Sequence, residues 1–224
     1  MRHARSRSWF ALMWQREVID YRALKRILDI ALATVLLIVL LPVFILVALA
    51  IKVESEGPVV YKQSRAGYHG RIFCMLKFRT MRRDRRVRCS PIDFPDRRRT
   101  LKVSNDPRLT RVGRVLRRAS VDELPQLVNI LRGDMTLVGP RPELLELVAH
   151  YRLPHYMRHV VTPGLTGWWQ IHGRCLRRDG CSPQEDLEVK LADDLYYIEH
   201  HSLGFDLKIL LLTVPVVLRG RGAT

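Results

Sequence analysis

One uncharged apolar run dominates the hydrophobic pattern of the chain. The segment 30–51 holds 22 residues without a charged side chain. A helix of that length would reach about 33 Å, enough to cross the hydrocarbon of a bilayer. Pro42 lies near the middle of the run, where a proline removes a backbone hydrogen bond and bends or breaks a helix. We therefore expect two half-helices that meet near Pro42.

Both flanks of this run are basic. Residues 1–26 hold seven Lys or Arg against two acids, and residues 52–80 hold six against two. The positive-inside rule therefore assigns both flanks to the cytoplasmic side of a membrane. A re-entrant hairpin that returns to the same leaflet satisfies this condition, and a kinked span across the bilayer is the alternative. A signal peptide fits poorly because the apolar core is too long.

The remaining pattern predicts an α+β domain that is mostly helical. Short apolar stretches at 59–61 and 71–77, separated by glycines, predict two strands of a β-hairpin. We divide the chain into a basic N-terminal segment at 1–24, a membrane hairpin at 25–52 and a cytosolic domain at 53–224.

Two further helices are expected to be amphipathic and to lie near the membrane interface. Apolar residues recur at helical spacing in one of them, at Leu187, Leu191, Leu195 and Ile198. The apolar tail at 207–218 is too short to span a bilayer and contains Pro215, so we expect an interfacial helix or one packed on the domain.

Charge limits the classes of partner. Lys and Arg number 38 against 22 Asp and Glu, a formal net charge of +16, which favours polyanions such as anionic lipids, nucleic acids or phosphorylated small molecules. A basic loop is expected at 82–104, with eight arginines between 82 and 99. Nucleic acid is not expected as a partner, because no helix-turn-helix, zinc finger or aromatic stacking motif accompanies the charge.

The segment 120–143 carries the residues that suit phosphate chemistry. Asp122 and Glu123 are adjacent where a helix should begin, and Arg141 is held between two prolines that stiffen its turn. Ser120 and Glu123 also match a capping box, which is the purely structural alternative. The cationic surroundings favour phosphate, which arginine binds bidentately. The arginines concerned are Arg111, Arg114, Arg117, Arg118, Arg132 and Arg141.

A set of motifs in fixed order resembles the bacterial sugar transferase family over about residues 20–220. The motifs are KRILD (25–29), GPVVYKQSRAG (57–67), KFRTM (77–81), the segment 105–143, PGLTGWWQIHGR (163–174) and the segment 194–218. The resemblance implies a monotopic enzyme at the cytoplasmic face of the bacterial inner membrane. Its expected reaction transfers hexose 1-phosphate from a UDP-sugar to a polyprenyl phosphate, usually undecaprenyl phosphate, with release of UMP and a requirement for Mg²⁺. Such reactions start exopolysaccharide or O-antigen assembly.

The resemblance also implies roles for individual residues. The family's Asp-Glu dyad falls on Asp122 and Glu123, so Asp122 would attack the β-phosphate and form an aspartyl phosphosugar intermediate. Glu123 is then the expected Mg²⁺ ligand. Arg141 should clamp phosphate. Further phosphate-binding candidates are Lys77, Arg79, Arg114 and Arg118.

Other residues of the motifs are expected to act at the membrane or at the edge of the site. Lys25, Arg26, Asp29 and Pro42 would position the hairpin or the lipid phosphate. For Asp29 the alternative is an ion pair with Lys25 at i, i+4 spacing. Asp194 matches an acid of the family near the C-terminal helix.

One function from a different class stays open at this point. A non-catalytic, membrane-tethered basic adaptor would explain the charge and the anchor but not the Asp-Glu pair or the Gly-Pro-Arg-Pro turn. A homo-oligomer is among the alternatives for its assembly.

Overall fold

The computed structural model of the 224-residue chain describes residues 3–82, 108–149, 151–172 and 183–218. Except for Arg82, the basic loop expected at 82–104 lies outside the described residues. The described elements are mostly helical with a small β-hairpin, as predicted.

The chain begins with a bent pair of helices. Helix α1 (His3–Val39) and helix α2 (Leu41–Glu54) meet at Leu40 with a bend of 60°. Pro42 lies in the first turn of α2, where its missing N–H breaks no helical hydrogen bond. The bend between the two helices confirms the predicted break near Pro42. Among the described residues, no single helix has the length and apolarity to cross a membrane, and this bent pair meets both criteria only when taken together.

The described residues form two sheets of two strands each. Strands β1 (Val60–Ala66) and β2 (Ile72–Phe78) form the expected antiparallel hairpin, which pairs Val60 with Phe78. Strand β1 is longer than predicted and includes Arg65. Strand β3 (Thr136–Val138) pairs in parallel with β4 (Gly164–Thr166), a long-range pairing that the sequence analysis did not predict.

Short helical elements connect the strands. They are α3 (Arg111–Arg118), a 3₁₀ turn at Val121–Glu123, α4 (Gln126–Arg132), α5 (Leu145–Val148), a 3₁₀ segment at Leu153–Val160 and α6 (Trp168–His172). Two longer helices, α7 (Pro183–His200) and α8 (Leu203–Leu218), end the described chain. The predicted amphipathic helix corresponds to α7, and the predicted tail helix to α8.

Apolar side chains from several elements meet in the larger of two hydrophobic clusters of the described residues. Its fully buried members include Leu127 and Ile130 of α4, Val138 of β3, Ala33 of α1 and Ile209 of α8. Helix α4 is also tied to β2, because buried Asn129 accepts a hydrogen bond from the Leu76 N–H at 3.0 Å and donates to the Cys74 carbonyl at 2.7 Å. The middle of α4 is thereby held beside β2.

The segment 25–29 of α1 is fixed to the domain by polar contacts. Asp29 accepts hydrogen bonds from Thr136 Oγ1 at 2.5 Å and from the Leu137 N–H at 3.0 Å. Lys25 Nζ lies 2.6 Å from Asp206 Oδ2. The alternative ion pair between Lys25 and Asp29 is therefore wrong, because Asp29 is buried against β3 and Lys25 contacts α8.

Arg26 strengthens the same attachment. Its guanidinium donates to the carbonyls of Ile130 and Leu131 at 2.5 and 2.9 Å. These carbonyls belong to the last turn of α4, where helical acceptors lack partners within the helix. Residues of the KRILD motif thus position α1 on the domain by satisfying backbone and side-chain groups of α4, β3 and α8.

Candidate active site

The two adjacent acids lie in a 3₁₀ turn just before α4. Asp122 and Glu123 belong to the turn Val121–Glu123, and α4 begins only at Gln126, with Pro125 as its N-cap residue. Ser120 has a left-handed backbone (φ 55°), and its side chain makes no capping hydrogen bond. The capping-box interpretation is therefore wrong, and the carboxylate of Glu123 is left for other partners.

Glu123 forms ion pairs with two cations from two other elements. Lys77, in β2, brings its Nζ to 3.2 Å from Glu123 Oε1. Arg141, in the Gly-Pro-Arg-Pro turn (residues 139–142), donates from Nη1 to Oε2 at 3.2 Å and from Nη2 to Oε1. The sequence analysis named all three residues, and the structure brings them together.

This contact changes how strongly each cation holds its proton. The negative charge of Glu123 raises the pKa of Arg141, which keeps the guanidinium charged. Burial lowers the pKa of Lys77, although Glu123 opposes that shift. The site therefore holds one cation that binds its proton more tightly than a free arginine and a second that binds its proton less tightly than a free lysine.

Asp122 differs from its neighbour. No side-chain hydrogen bond or ion pair joins its carboxylate to the described part of the chain. Burial and, next, the charge of Glu123 raise its pKa to about 6, while Lys77, Arg141 and Arg117 act in the opposite direction. A pKa of about 6 leaves Asp122 mostly ionised at neutral pH, and no cation of the described residues is paired with it, which suits an attacking carboxylate.

Arg117 is a site residue that the sequence analysis placed among the surrounding arginines but did not select. Its Nε donates to Thr80 Oγ1 at 3.0 Å, and its charge lowers the pKa of Asp122. The selected candidates Arg114 and Arg118 are exposed on α3, and the structure does not bring them to the acids. Neighbouring helical residues diverge by about 100°, so only one of the paired arginines can face the site.

Arg79 has a different position from the one expected. Its guanidinium donates to the Ser55 carbonyl at 2.6 Å, to Ser55 Oγ at 2.9 Å and to the Glu56 carbonyl at 2.8 Å. Arg79 follows the last residue of β2 and is held at the C-terminal end of α2. The structure does not bring it to the acids.

Close backbone contacts fix the turn that carries Arg141. The Gly139 N–H donates to the Thr166 carbonyl, and the Gly164 N–H donates to the Pro140 carbonyl, both at 2.9 Å. A Cβ atom on Gly164 would collide with the backbone of Gly139. The glycines therefore permit an approach between the ends of β3 and β4 that no other residue allows.

Arg65 is a second residue that the sequence analysis did not select. It lies in β1, and its Nη1 donates to the Pro142 carbonyl at 3.3 Å. Burial and, next, the charge of Arg141 lower the pKa of Arg65 to about 10. Its motif, QSRAG at 63–67, was a signal that could have identified it.

Asp194 lies away from the acid pair. It is buried in α7, where its Oδ2 lies 2.5 Å from Arg158 Nη2. Burial raises the pKa of Asp194 to about 6, although the neighbouring Arg158 opposes the shift. The structure brings Asp194 into contact with Arg158 rather than with Asp122.

The acid pair has the donor atoms that Mg²⁺ prefers. The described residues include no group of three or more His, Cys, Asp or Glu that could hold a metal ion. Mg²⁺ usually binds one or two carboxylates together with substrate phosphates and water, so a pair of acids is sufficient. Asp122 and Glu123 provide such oxygen atoms, and no described cation pairs with Asp122. The residues therefore fit this ion.

Comparison with known proteins identifies the family. The family model described as "Bacterial sugar transferase" matches residues 20–220. The chain belongs to the bacterial sugar transferase family. The match covers α2 and the second half of α1, the acid pair and the Gly-Pro-Arg-Pro turn.

Two relatives of this sugar transferase share the same name. A UDP-glucose:undecaprenyl-phosphate glucose-1-phosphate transferase of Caulobacter vibrioides is 45% identical over 91% of this chain and 72% of its own length. A protein of the same name from Escherichia coli K12 is 43% identical over 86% of this chain and 40% of its own length. The exopolysaccharide production protein ExoY of Sinorhizobium fredii is 40% identical over 89% of this chain and 87% of its own length.

Proposed function

We propose that this sugar transferase moves hexose 1-phosphate from a UDP-sugar to a polyprenyl phosphate and releases UMP. The observation that carries the proposal is the contrast within the acid pair: among the described residues Asp122 has no cationic partner, whereas Glu123 is paired with Lys77 and Arg141. The names of the Caulobacter and E. coli relatives support undecaprenyl phosphate as the acceptor.

The first half-reaction uses Asp122 as a nucleophile. A carboxylate oxygen of Asp122 bonds to the β-phosphorus of the UDP-sugar as the bond from that phosphorus to the bridging oxygen breaks. The bridging oxygen leaves with its electron pair as part of UMP. The sugar phosphate is then joined to the protein as an acyl phosphate, a type of intermediate that aspartate forms in other phosphoryl transfers.

The second half-reaction returns the carboxylate. An oxygen of the polyprenyl phosphate attacks the same phosphorus, and the bond to Asp122 breaks. The product is a polyprenyl diphosphate sugar. Two transfers at one phosphorus need no proton exchange at Asp122, which suits a carboxylate that is ionised at neutral pH.

Cations around the acids would stabilise the charge on the transferring group. Arg141 offers planar paired donors, Lys77 a compact charge, and Arg117 a third cation from α3. By holding both Lys77 and Arg141, Glu123 orients them before the substrate arrives. This orientation removes a reorganisation cost from the transition state.

Glu123 is also the residue that we propose as the protein ligand for Mg²⁺. When bound, the ion supplies a Lewis acid that neutralises diphosphate oxygens. Lys77 and Arg141 already occupy much of this carboxylate. If Mg²⁺ binds, Glu123 would hold it in addition to Lys77 and Arg141.

We propose further that α1 and α2 form a re-entrant hairpin in the cytoplasmic leaflet of the bacterial inner membrane. Both flanks are basic, the pair is bent by 60°, and apolar side chains such as Ile38 and Leu46 are more than three-fifths exposed. Exposed apolar surface of this kind is stable in hydrocarbon rather than in water. The membrane would thereby bring the lipid phosphate to the domain.

The experiment that tests the function is UMP release from the full-length protein in detergent micelles. Undecaprenyl phosphate, Mg²⁺ and a panel of UDP-sugars are supplied, and glucose is our first choice because two relatives carry it in their names. We expect UMP to form with at least one sugar and to require the lipid for multiple turnovers. Absence of UMP with every donor would contradict the proposal.

A further inference from the structure

A buried charged cluster behind the Gly-Pro-Arg-Pro turn has no part in the chemistry described above. Arg158 is 3% exposed and Asp194 is 2% exposed, and Glu143 and Tyr151 beside them are also buried. Charged side chains are buried this deeply only when they are paired and hydrogen-bonded. The arrangement of this cluster therefore indicates what it holds in place.

Arg158 joins four groups through the two ends of its guanidinium. Its Nη2 lies 2.5 Å from Asp194 Oδ2 and donates to the Arg141 carbonyl at 3.3 Å. Its Nη1 donates to the Tyr151 hydroxyl at 2.7 Å and to Glu143 Oε1 at 3.4 Å. Two acids and a phenol thus orient a guanidinium that also holds the backbone of Arg141.

The sequence of the turn explains why a carbonyl is the group held. Pro140 and Pro142 have no N–H, so the turn has fewer amide donors with which to anchor itself. Apart from the Gly139 N–H described above, the turn is anchored through its carbonyl oxygens. Arg65 donates to the Pro142 carbonyl at 3.3 Å from β1, and Arg158 donates to the Arg141 carbonyl from the 3₁₀ segment. Two arginines therefore hold consecutive carbonyls of the turn.

We propose that Arg158, oriented by Asp194 and Glu143, is a positioning residue that fixes the backbone of Arg141 so that its guanidinium meets Glu123. The kinetic test of this proposal rests on the proposed function, because it measures UMP release. The hydrogen-exchange test rests on the geometry alone.

The first variant is Arg158→Lys. A lysine keeps the positive charge opposite Asp194, but its single ammonium cannot serve four acceptors in the same fork. We expect the KM for the UDP-sugar to rise about tenfold and kcat/KM to fall about a hundredfold, the loss that a 1 Å misplacement can cause. A smaller fraction of folded enzyme would lower kcat but would leave KM unchanged.

The second variant is Asp194→Asn, which keeps the size of the side chain. It provides the test if Arg158→Lys does not fold. The matched control is Glu188→Gln. It alters a contact of 3.2 Å between His155 and Glu188 that joins the same 3₁₀ segment to the same helix, but at an exposed glutamate. We expect the control to match the wild type in KM and kcat.

Hydrogen exchange measured by mass spectrometry on the full-length protein supplies a readout without catalysis. We expect faster exchange in the peptide covering 136–147 for both cluster variants, with the peptide covering α4 unchanged and the control like wild type. Wild-type exchange in 136–147 for both variants would overturn the proposal, and so would a uniform increase across all peptides. If the wild type releases no UMP, the proposed function fails, and the exchange pattern still decides the role of Arg158.

Discussion

Arg141 and Glu123 form a two-point ion pair in which both Nη atoms reach the carboxylate, while Asp122 beside Glu123 has no such partner among the described residues. Two adjacent acids thus have different environments. We propose that the paired acid holds the cations in place and that the unpaired acid attacks phosphorus.

Replacing Glu123 tests the supporting half of this division. In Glu123→Gln the side chain keeps its shape but loses the charge that orients Lys77 and Arg141. We expect kcat to fall by about a hundredfold or more, similar to the loss of one charge-stabilising group in other active sites. The measurement is UMP release at saturating Mg²⁺.

The matched control for this substitution is Glu199→Gln, at an exposed position of α7. It should have wild-type kcat. A Glu123→Gln variant with wild-type kcat would show that neither the ion pair nor a metal at this carboxylate contributes to turnover.

The pH dependence of kcat/KM tests the state of Asp122. Burial and Glu123 raise its pKa to about 6, and the carboxylate attacks only when ionised. Activity should therefore be constant near neutral pH and fall about tenfold for each pH unit below 6. Lys77 lowers this pKa, so Lys77→Met should move the acid limb to higher pH.

Lys62→Met serves as the control for the pH experiment. Lys62 lies on β1 and is exposed. Its replacement removes a positive charge without touching the acids, so the acid limb should stay in place. An acid limb that does not respond to Lys77→Met would contradict the assignment of the limb to Asp122.

Sequence reasoning succeeded where the cause is local. Pro42 breaks the apolar run because of its own ring and missing N–H, and neighbouring glycines mark the β-hairpin. The acid pair and Arg141 could be selected because each lies in a short, chemically distinctive motif.

It failed where the cause is a contact between distant segments. Arg117 rather than Arg118 lies near the acids because its face of α3 meets Thr80. Arg79 binds Ser55 instead of the acids because α2 ends beside it. The pairing of β3 with β4 brings together residues about 28 positions apart, as Thr136 and Gly164 are partners. No local pattern specifies such partners.

Asp29 should contribute to stability rather than to chemistry. Asp29→Ala leaves Thr136 Oγ1 and the Leu137 N–H without their buried acceptor, at a cost of about 1–3 kcal/mol for each donor. We expect a lower Tm in thermal unfolding of the detergent-solubilised protein. Thr34→Ala, at an exposed position of the same helix, should melt like the wild type, and an equally unaffected Asp29→Ala would refute the anchoring role.

The topology of the bent pair can be measured by cysteine labelling. In a background without the native cysteines, Arg22→Cys and Lys62→Cys lie on opposite sides of the apolar run and are both exposed. For a re-entrant hairpin, an impermeant maleimide should label neither in intact cells and both after permeabilisation. Labelling of one site alone in intact cells would indicate a true span.

The most direct test of the account is the mass of the peptide that contains residue 122. The full-length protein is mixed with UDP-sugar and Mg²⁺ without lipid acceptor, quenched and digested. The masses of its peptides are then measured by mass spectrometry. We expect this peptide to gain the mass of one sugar phosphate, to lose it when polyprenyl phosphate is added, and never to gain it in Asp122→Asn. Product formation by an enzyme whose Asp122 peptide stays unmodified at every time point would contradict the central claim.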